Sequence, residues 1–375
     1  MNEFKLVATS AMGLESLVAD EVKALGYNTT TENGKVYFSG DSSAIVKTNM
    51  WLRVADRVRI IVGEFHADTF DDLFEGTKAI PWEQYLPVDA AFPVAGKSVK
   101  STLYSVPDCQ AIVKKAIVDR LNKAYNRSGF LPESGPLFKL EVSILKDKVT
   151  LTIDSSGTGL HKRGYRKGQG DAPLKETLAA ALVKISKWNP DRPFIDPFCG
   201  SGTIPIEAAL IGQNIAPGTN RDFLSEQWPW IDESVWNRVR EEAEDLAKYD
   251  QPLNITGFDI DPRMIRVAEE NAAEAGFVDL IKWEQRDVND LIIEGVNGVL
   301  IGNPPYGERI GEVEEAEEIT RALGNIMKNH PSWSTYMISS LENFEKLYGQ
   351  RATKKRKLFN GFIRTDYYQY WGKRQ

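Results

Sequence analysis

Cysteine is nearly absent from this chain of 375 residues: there are two, Cys109 and Cys199, alongside three histidines. Two thiols cannot build a disulfide framework, and the few Cys and His residues lack metal-ligand spacing, so no metal is expected. Long apolar runs are missing too. No stretch of about 18 uncharged apolar residues occurs, which excludes a membrane-spanning helix. The opening MNEFKLVATSAMGLESLVADEV reaches acidic residues at once and contains no signal-peptide core. These absences point to a reduced, cytoplasmic protein away from membranes, with no obligate protein partner evident. A positive excess is also lacking, since the net charge is −7, which argues mildly against wholesale binding of polyanions. What is present is ordinary: 42% apolar and 26% charged residues suit a globular protein of two or three domains. Repeats and low-complexity tracts are missing as well.

Polyanion binding depends on local potential rather than on the total. Two runs are locally basic, His161 to Lys167 (HKRGYRK) and Arg351 to Lys357 (RATKKRK), whereas acid is concentrated in Glu308 to Glu318. Either run alone reads as solvated surface. Both fall in the second half of the chain, and the first embeds Tyr165, which favours contact with nucleic-acid phosphates. Lys162, Arg166, Lys354, Lys355 and Arg356 are the candidates.

Periodicity divides the chain near residue 155. Before it, strands are predicted over 4–8, 35–38, 58–62 and 91–94, with a hairpin of 140–144 and 148–154 across Lys146-Asp147. Helices are predicted over about 14–25, closed by Gly26, and from about 107 through Ala124. A Gly-rich, basic connector spans about Ser155 to Asp171. Beyond it, strands at 194–196, 255–258, 281–283, 298–301, 336–339 and 367–371 alternate with helices, the signature of a parallel sheet.

Three motifs follow strand ends in that second half. Asp196-Pro197-Phe198-Cys199-Gly200-Ser201-Gly202-Thr203 leaves a strand and opens a helix; its glycines allow a tight turn and close approach of a ligand. No Lys follows, which excludes a Walker phosphate loop, and Pro205 stands where a dinucleotide fingerprint wants a third Gly. Asp259 ends the next strand, placed to accept from a ribose diol, while Asp261 before Pro262 is a natural helix cap. Asp287 is similarly placed to accept from an adenine amine. Asn303-Pro304-Pro305-Tyr306 ends the apolar strand. An exocyclic base amine is a poor nucleophile because its lone pair is delocalised into the ring. The Asn303 side-chain oxygen and the Pro304 carbonyl can accept its two N–H bonds and draw the nitrogen towards sp³. Tyr306 would stack on the extruded base. Cys199, inside the ligand turn rather than at the Asn303 position, reads as turn packing and not as a nucleophile.

DPFCGSGT, GFDIDPRMI and NPPYGER, in this order, resemble the amino-methylating class I methyltransferases. The connector LHKRGYR followed by APLKET is similar to the subgroup with an N-terminal THUMP domain, in particular the bacterial 23S rRNA guanine-N2 methyltransferases in a short form lacking a second methyltransferase domain. Older naming placed such proteins among N6-adenine-specific DNA methylases because of the N-P-P-Y string. The resemblance implies an α/β fold: a Rossmann-like class I methyltransferase sheet over 156–375, preceded by a ferredoxin-like part (1–55) and a THUMP RNA-binding domain (44–155). It implies S-adenosyl-L-methionine as cofactor, held by Asp196, Cys199, Gly200, Ser201, Gly202, Thr203, Asp259 and Asp287, with His161 and Arg163 bordering the site. Structured RNA, 23S rRNA first and tRNA second, is the implied partner. The expected reaction is direct in-line methyl transfer giving N2-methylguanosine. The alternatives are a tRNA guanine-N2 methyltransferase, a DNA adenine-N6 methyltransferase and a non-catalytic RNA-binding factor. Residues 213 to 250 are an insertion relative to a minimal nucleotide fold, and its Trp228, Trp230 and Trp236 are expected to pack.

Overall fold

The computed structural model describes residues 3–168, 174–305 and 312–373. The first half contains β1 (Phe4–Thr9), α1 (Glu15–Ala24), β2 (Thr30–Glu32), β3 (Lys35–Gly40), α2 (Ser42–Trp51), β4 (Arg57–His66), α3 (Phe70–Ala79), β5 (Val94–Val99), α4 (Val106–Ala124), β6 (Lys139–Leu145) and β7 (Lys148–Asp154). Its strands form one seven-stranded sheet, ordered β2-β3-β1-β4-β7-β6-β5. The β4 strand is the hinge of that sheet, pairing with β1 on one side and β7 on the other, with a register shift between Ile61 and Gly63. The predicted hairpin is present: Lys146 and Asp147 both take positive φ, 50° and 62°, the geometry of a two-residue turn matched to strand twist. The strand predicted at 91–94 instead starts at Val94; Ala91 makes only an isolated bridge to Leu137.

The second half contains α5 (Glu176–Ser186), β8 (Phe194–Asp196), α6 (Thr203–Gly212), α7 (Glu233–Leu246), β9 (Ile255–Asp259), α8 (Pro262–Glu274), β10 (Ile281–Gln285), β11 (Val299–Gly302), α9 (Glu312–Met327), β12 (Ser334–Ser339), α10 (Phe344–Tyr348), β13 (Lys354–Asn360) and β14 (Ile363–Tyr370). The sheet order is β10-β9-β8-β11-β12-β14-β13. The strands from β10 to β12 run parallel, while β14 is antiparallel to both neighbours. Chain order reverses between β8 and β11, and ligands bind at such a switch point beyond the carboxyl ends of the strands. The basic run at 354–357 is itself the start of β13, paired residue by residue with β14.

The two halves are docked rather than tethered. Trp228 is buried and stacks on Phe138 with ring centroids 4.9 Å apart. Its indole N–H donates to the Leu137 carbonyl at 3.0 Å, and that of Trp230 to Tyr85 at 2.9 Å. The 213–250 insertion thus packs against the N-terminal half. From the other side, Glu21 of α1 accepts the Arg53 and Val54 backbone N–H groups and pairs with Lys184 of α5. Among the described residues, no helix is long and apolar enough to cross a membrane.

Candidate active site

The glycine turn sits at the switch point and is held from β9. The Gly200 N–H donates to Asp259 Oδ2 at 2.9 Å, and the Asp261 N–H to Asp259 Oδ1 at 2.9 Å. Asp259 therefore locks the turn. Asp261 caps α8 by accepting the Arg263 N–H at 2.8 Å, as its position before Pro262 predicts. Asp196 accepts the Phe198 N–H on Oδ1 at 3.0 Å, whereas its Oδ2 is buried without a hydrogen-bond partner. Burial, reinforced by Asp259, pushes the Asp196 carboxyl well above the usual carboxylate range. An unpartnered buried acceptor costs about 1–3 kcal/mol, so this oxygen calls for a donor that the described residues do not supply.

The two glycines of the turn have different tasks. Both take positive φ, 50° at Gly200 and 81° at Gly202. A Cβ on Gly200 would meet nothing within 4 Å, so this position faces open space. A Cβ on Gly202 would lie 2.7 Å from Trp283 Cη2 and 3.0 Å from Ala268 Cβ. Gly202, expected to admit the ligand, instead lets β10 and α8 pack against the turn. Cys199 is buried, and its N–H donates to the Phe258 carbonyl at 2.8 Å. Burial, with Asp196 and Asp259 nearby, pushes its thiol well up, so it stays protonated and is no nucleophile.

Several basic residues have other tasks than those expected. Arg166, expected on RNA, donates from Nε to Glu176 at 2.8 Å, from Nη2 to Thr203 Oγ1 at 2.9 Å and from Nη1 to Ser201 Oγ at 3.3 Å. It therefore pins the connector to the glycine turn, and a partly buried, multiply bonded guanidinium is not presented to a phosphate. Arg163, expected at the cofactor, is 3% exposed. It bonds both Glu207 oxygens and the Leu160 and Arg53 carbonyls, and Tyr165 adds a hydroxyl donor to Glu207 at 3.0 Å. This network joins the first half, the connector and α6. His161 is not at the turn; it lines a pocket on the N-terminal sheet, where burial, then Lys175, lowers its pKa to about 4. Asp287 accepts the Asn289 backbone and side-chain N–H groups on Oδ1 at 2.8 Å each, capping the turn that follows β10. Arg356 donates to the Gly13 carbonyl at 3.1 Å and to Ser16 at 3.0 Å, docking β13 on the first half. Lys162 and Lys354 are exposed; Lys355 is exposed and pairs with Glu345 at 3.0 Å.

Asn303 and Pro304 follow the last residue of β11, with Asn303 partly buried, Pro304 buried and Pro305 exposed. The ladder between β11 and β8 ends at Leu300 and Ile195, and Gly302, adjacent to Asn303, abuts the Phe198 ring of the glycine turn. Gly302 permits this: a Cβ there would lie 2.9 Å from the Phe198 ring and 3.0 Å from Met337 Sδ. Tyr306, with Ala172 and Pro173 of the connector, lies outside the described residues.

The motifs alone did not single out Asn271 or Glu207. Asn271 is 1% exposed and bridges the Ser201 and Gly168 carbonyls while accepting the Lys167 N–H. Its signal was an amide on the apolar stripe of α8, with Ile265, Ala268 and Ala272. For Glu207 the signal was a lone acid in the otherwise apolar helix TIPIEAALIG.

Three family models cover most of the chain: an RlmL ferredoxin-like domain at 5–59, a THUMP domain at 67–154 and an RMKL-like methyltransferase domain at 163–369. A Bacillus subtilis (strain 168) protein, "Putative RNA methyltransferase YpsC", is 58% identical over 100% of this chain and 97% of its own length. The ribosomal RNA large subunit methyltransferase K/L of Aeromonas salmonicida (strain A449) is 34% identical over 97% of this chain, which spans 53% of that protein. Among solved structures, a "predicted N6-adenine-specific DNA methylase" from Listeria monocytogenes str. 4b F2365 matches with TM-score 0.96 and 64% identity, covering 100% of this chain and 97% of that one. SMU.472, "a putative methyltransferase complexed with SAH", matches with TM-score 0.97 and 48% identity over 100% of both chains. With its ferredoxin-like part, its THUMP domain and a class I sheet closed by an antiparallel strand, the chain belongs to the RMKL-like methyltransferase family.

Proposed function

We propose that the protein methylates the exocyclic N2 amine of a guanine in 23S rRNA, with S-adenosylmethionine as methyl donor. The observation that carries this reading is Asn303-Pro304-Pro305 at the carboxyl end of β11, following Gly302, which abuts Phe198 of the glycine turn. The turn fits the cofactor on two counts. Asp196 Oδ2 is a buried acceptor without a partner, suited to an ammonium donor, and Gly200 faces open space where any side chain would intrude. Bound there, the cofactor supplies a sulfonium-activated methyl group.

The chain's own residues do the rest. Asp259, fixing the turn through two backbone N–H groups, keeps acceptor capacity for a ribose hydroxyl. The Asn303 side-chain oxygen and the Pro304 carbonyl accept the two N–H bonds of the base amine. The nitrogen lone pair then leaves the ring and points along the line of transfer. Attack needs no prior deprotonation, because the amine's acidity rises steeply once it carries the new carbon. The THUMP domain and the exposed lysines Lys162, Lys354 and Lys355 contact RNA backbone. Tyr306 stacks on the extruded base.

Asn303 acts as the amine becomes nucleophilic, so its loss should fall on the chemical step rather than on binding. Asn303→Ala is expected to bind cofactor and RNA nearly normally and to lose about 10²–10³ in kcat, the scale of one preorganised polar contact. Asn303→Asp, which still accepts, should be milder. Single-turnover methyl transfer checks this; an Ala variant with unchanged kcat removes the mechanism.

A further inference from the structure

The strands of the N-terminal sheet and the connector enclose a pocket of about 370 Å³, apart from the glycine turn. That volume lies in the range of small-molecule sites, about 300–1,000 Å³. Val7 and Ile61 contribute apolar floor, and Tyr37 presents a ring. Five cationic side chains line it, Lys35, Arg57, Arg59, Lys97 and Lys175, against two carboxylates, Asp56 and Glu141. At the rim, Asp154 pairs with Arg57 and Glu32 accepts from the Tyr37 hydroxyl at 3.0 Å, so the cationic excess of five to two belongs to the lining itself, in a chain whose total is −7. Glu141 is shared by two cations, Arg59 at 3.0 Å and Lys97 at 2.8 Å. Within this cluster Arg59 Nε is buried with no hydrogen-bond partner. The cluster is thus one acceptor short, which an anionic group in the pocket would supply.

We propose that this pocket is a second, non-catalytic anchor that holds a nucleoside phosphate of the RNA substrate, with Arg59, Lys35 and Lys175 on the phosphate. The inference rests on the RNA reading above and deepens it. The pocket is tied to the reacting centre through the connector. Lys175 on its wall follows Leu174, whose carbonyl accepts from Arg166 at 2.9 Å, and Arg166 also bonds Thr203 of the glycine turn. One RNA chain can thus be gripped at a fixed offset from the base presented to Asn303.

The test is filter binding of the full-length protein to an unmodified large-subunit rRNA transcript across a salt series, with guanosine 5′-monophosphate as competitor. Lys35→Ala/Lys175→Ala should weaken binding about 10-fold and flatten the log–log salt slope by roughly 0.7–0.9, one phosphate's worth, with S-adenosylhomocysteine binding unchanged. Arg59→Lys keeps the charge and can keep the Glu141 pair but has no Nε–H, so it should weaken binding with the slope unchanged. Guanosine monophosphate should compete with RNA for the wild type but not for the double variant. Unchanged slope and affinity in the double variant, while the wild type still methylates the transcript, would overturn the pocket and leave the proposed function standing. Nucleotide binding here without any effect on RNA would also overturn it, assigning the site to a free nucleotide. A wild type that binds no transcript at all would remove the RNA reading beneath it.

Discussion

Gly200 and Gly202 sit two residues apart in the same turn, yet substitution should separate folding from cofactor binding. Each has positive φ, so Ala at either costs about 1–2 kcal/mol of left-handed backbone strain. At Gly202 the new methyl would also stand 2.7 Å from Trp283 Cη2 and 3.0 Å from Ala268 Cβ. Overpacking of that kind adds about 1–3 kcal/mol, for a total of about 2–5 kcal/mol. At Gly200 nothing lies within 4 Å, so strain is the whole cost to the fold. There the methyl enters the space assigned to the cofactor. Thermal melts with and without S-adenosylhomocysteine read both effects. The wild type should gain about 2.7 kcal/mol at a hundredfold excess over Kd. Gly200→Ala should melt closer to the wild type than Gly202→Ala does and lose most of that gain. Gly202→Ala should melt lowest and, where still folded, keep part of it. A Gly200→Ala protein with the full ligand shift, or one as destabilised as Gly202→Ala, would refute the division of labour.

Two further consequences concern charge. Asp196 has its pKa raised in the folded chain, so near that pKa the free protein holds a proton that an ammonium donor on Oδ2 would displace. Cofactor affinity should rise with pH through a range above the ordinary carboxylate region, with proton release detectable by calorimetry in buffers of different ionisation enthalpy; a pH-independent affinity contradicts the assignment. On β13, Lys354→Ala should flatten the salt slope of RNA binding without moving the melt. Arg356→Ala should instead lower the melting temperature, because it strips donors from Gly13 and Ser16; identical behaviour of the two variants would contradict the docking role.

The parts of the fold carried by local signals were legible. Lys146-Asp147 between alternating strands announced its hairpin, and the strand-to-helix turns at Asp196, Asp259 and Asn303 were each marked by a residue string at a strand end. Features set by long-range partners were not. Lys354 to Lys357 carries no apolar alternation, so β13 read as a charged run; its strand character comes from pairing with Asp366 to Gln369 of β14. Arg163 and Arg166 look interchangeable with Lys162 in sequence. Only the packing of α6 and α5, which places Glu207 and Glu176 beside them, makes one a buried brace and the other a clamp on the turn. Gly202 was legible as a glycine required by its turn, but the reason lies in Trp283, 81 residues on (283 − 202), which closes over it.

The central claim is the identity of the methylated nucleoside. Mass-spectrometric nucleoside analysis of 23S rRNA and tRNA, purified separately from wild-type and deletion strains, tests it most directly. The account predicts that N2-methylguanosine disappears from one 23S rRNA position on deletion and returns with the wild-type gene but not with Asn303→Ala. Loss from tRNA instead would move the same chemistry to another RNA, and N6-methyladenosine would move it to another amine. A methyl group lost from a pyrimidine carbon would contradict the account, because neither Asn303 nor the protonated Cys199 could deliver it.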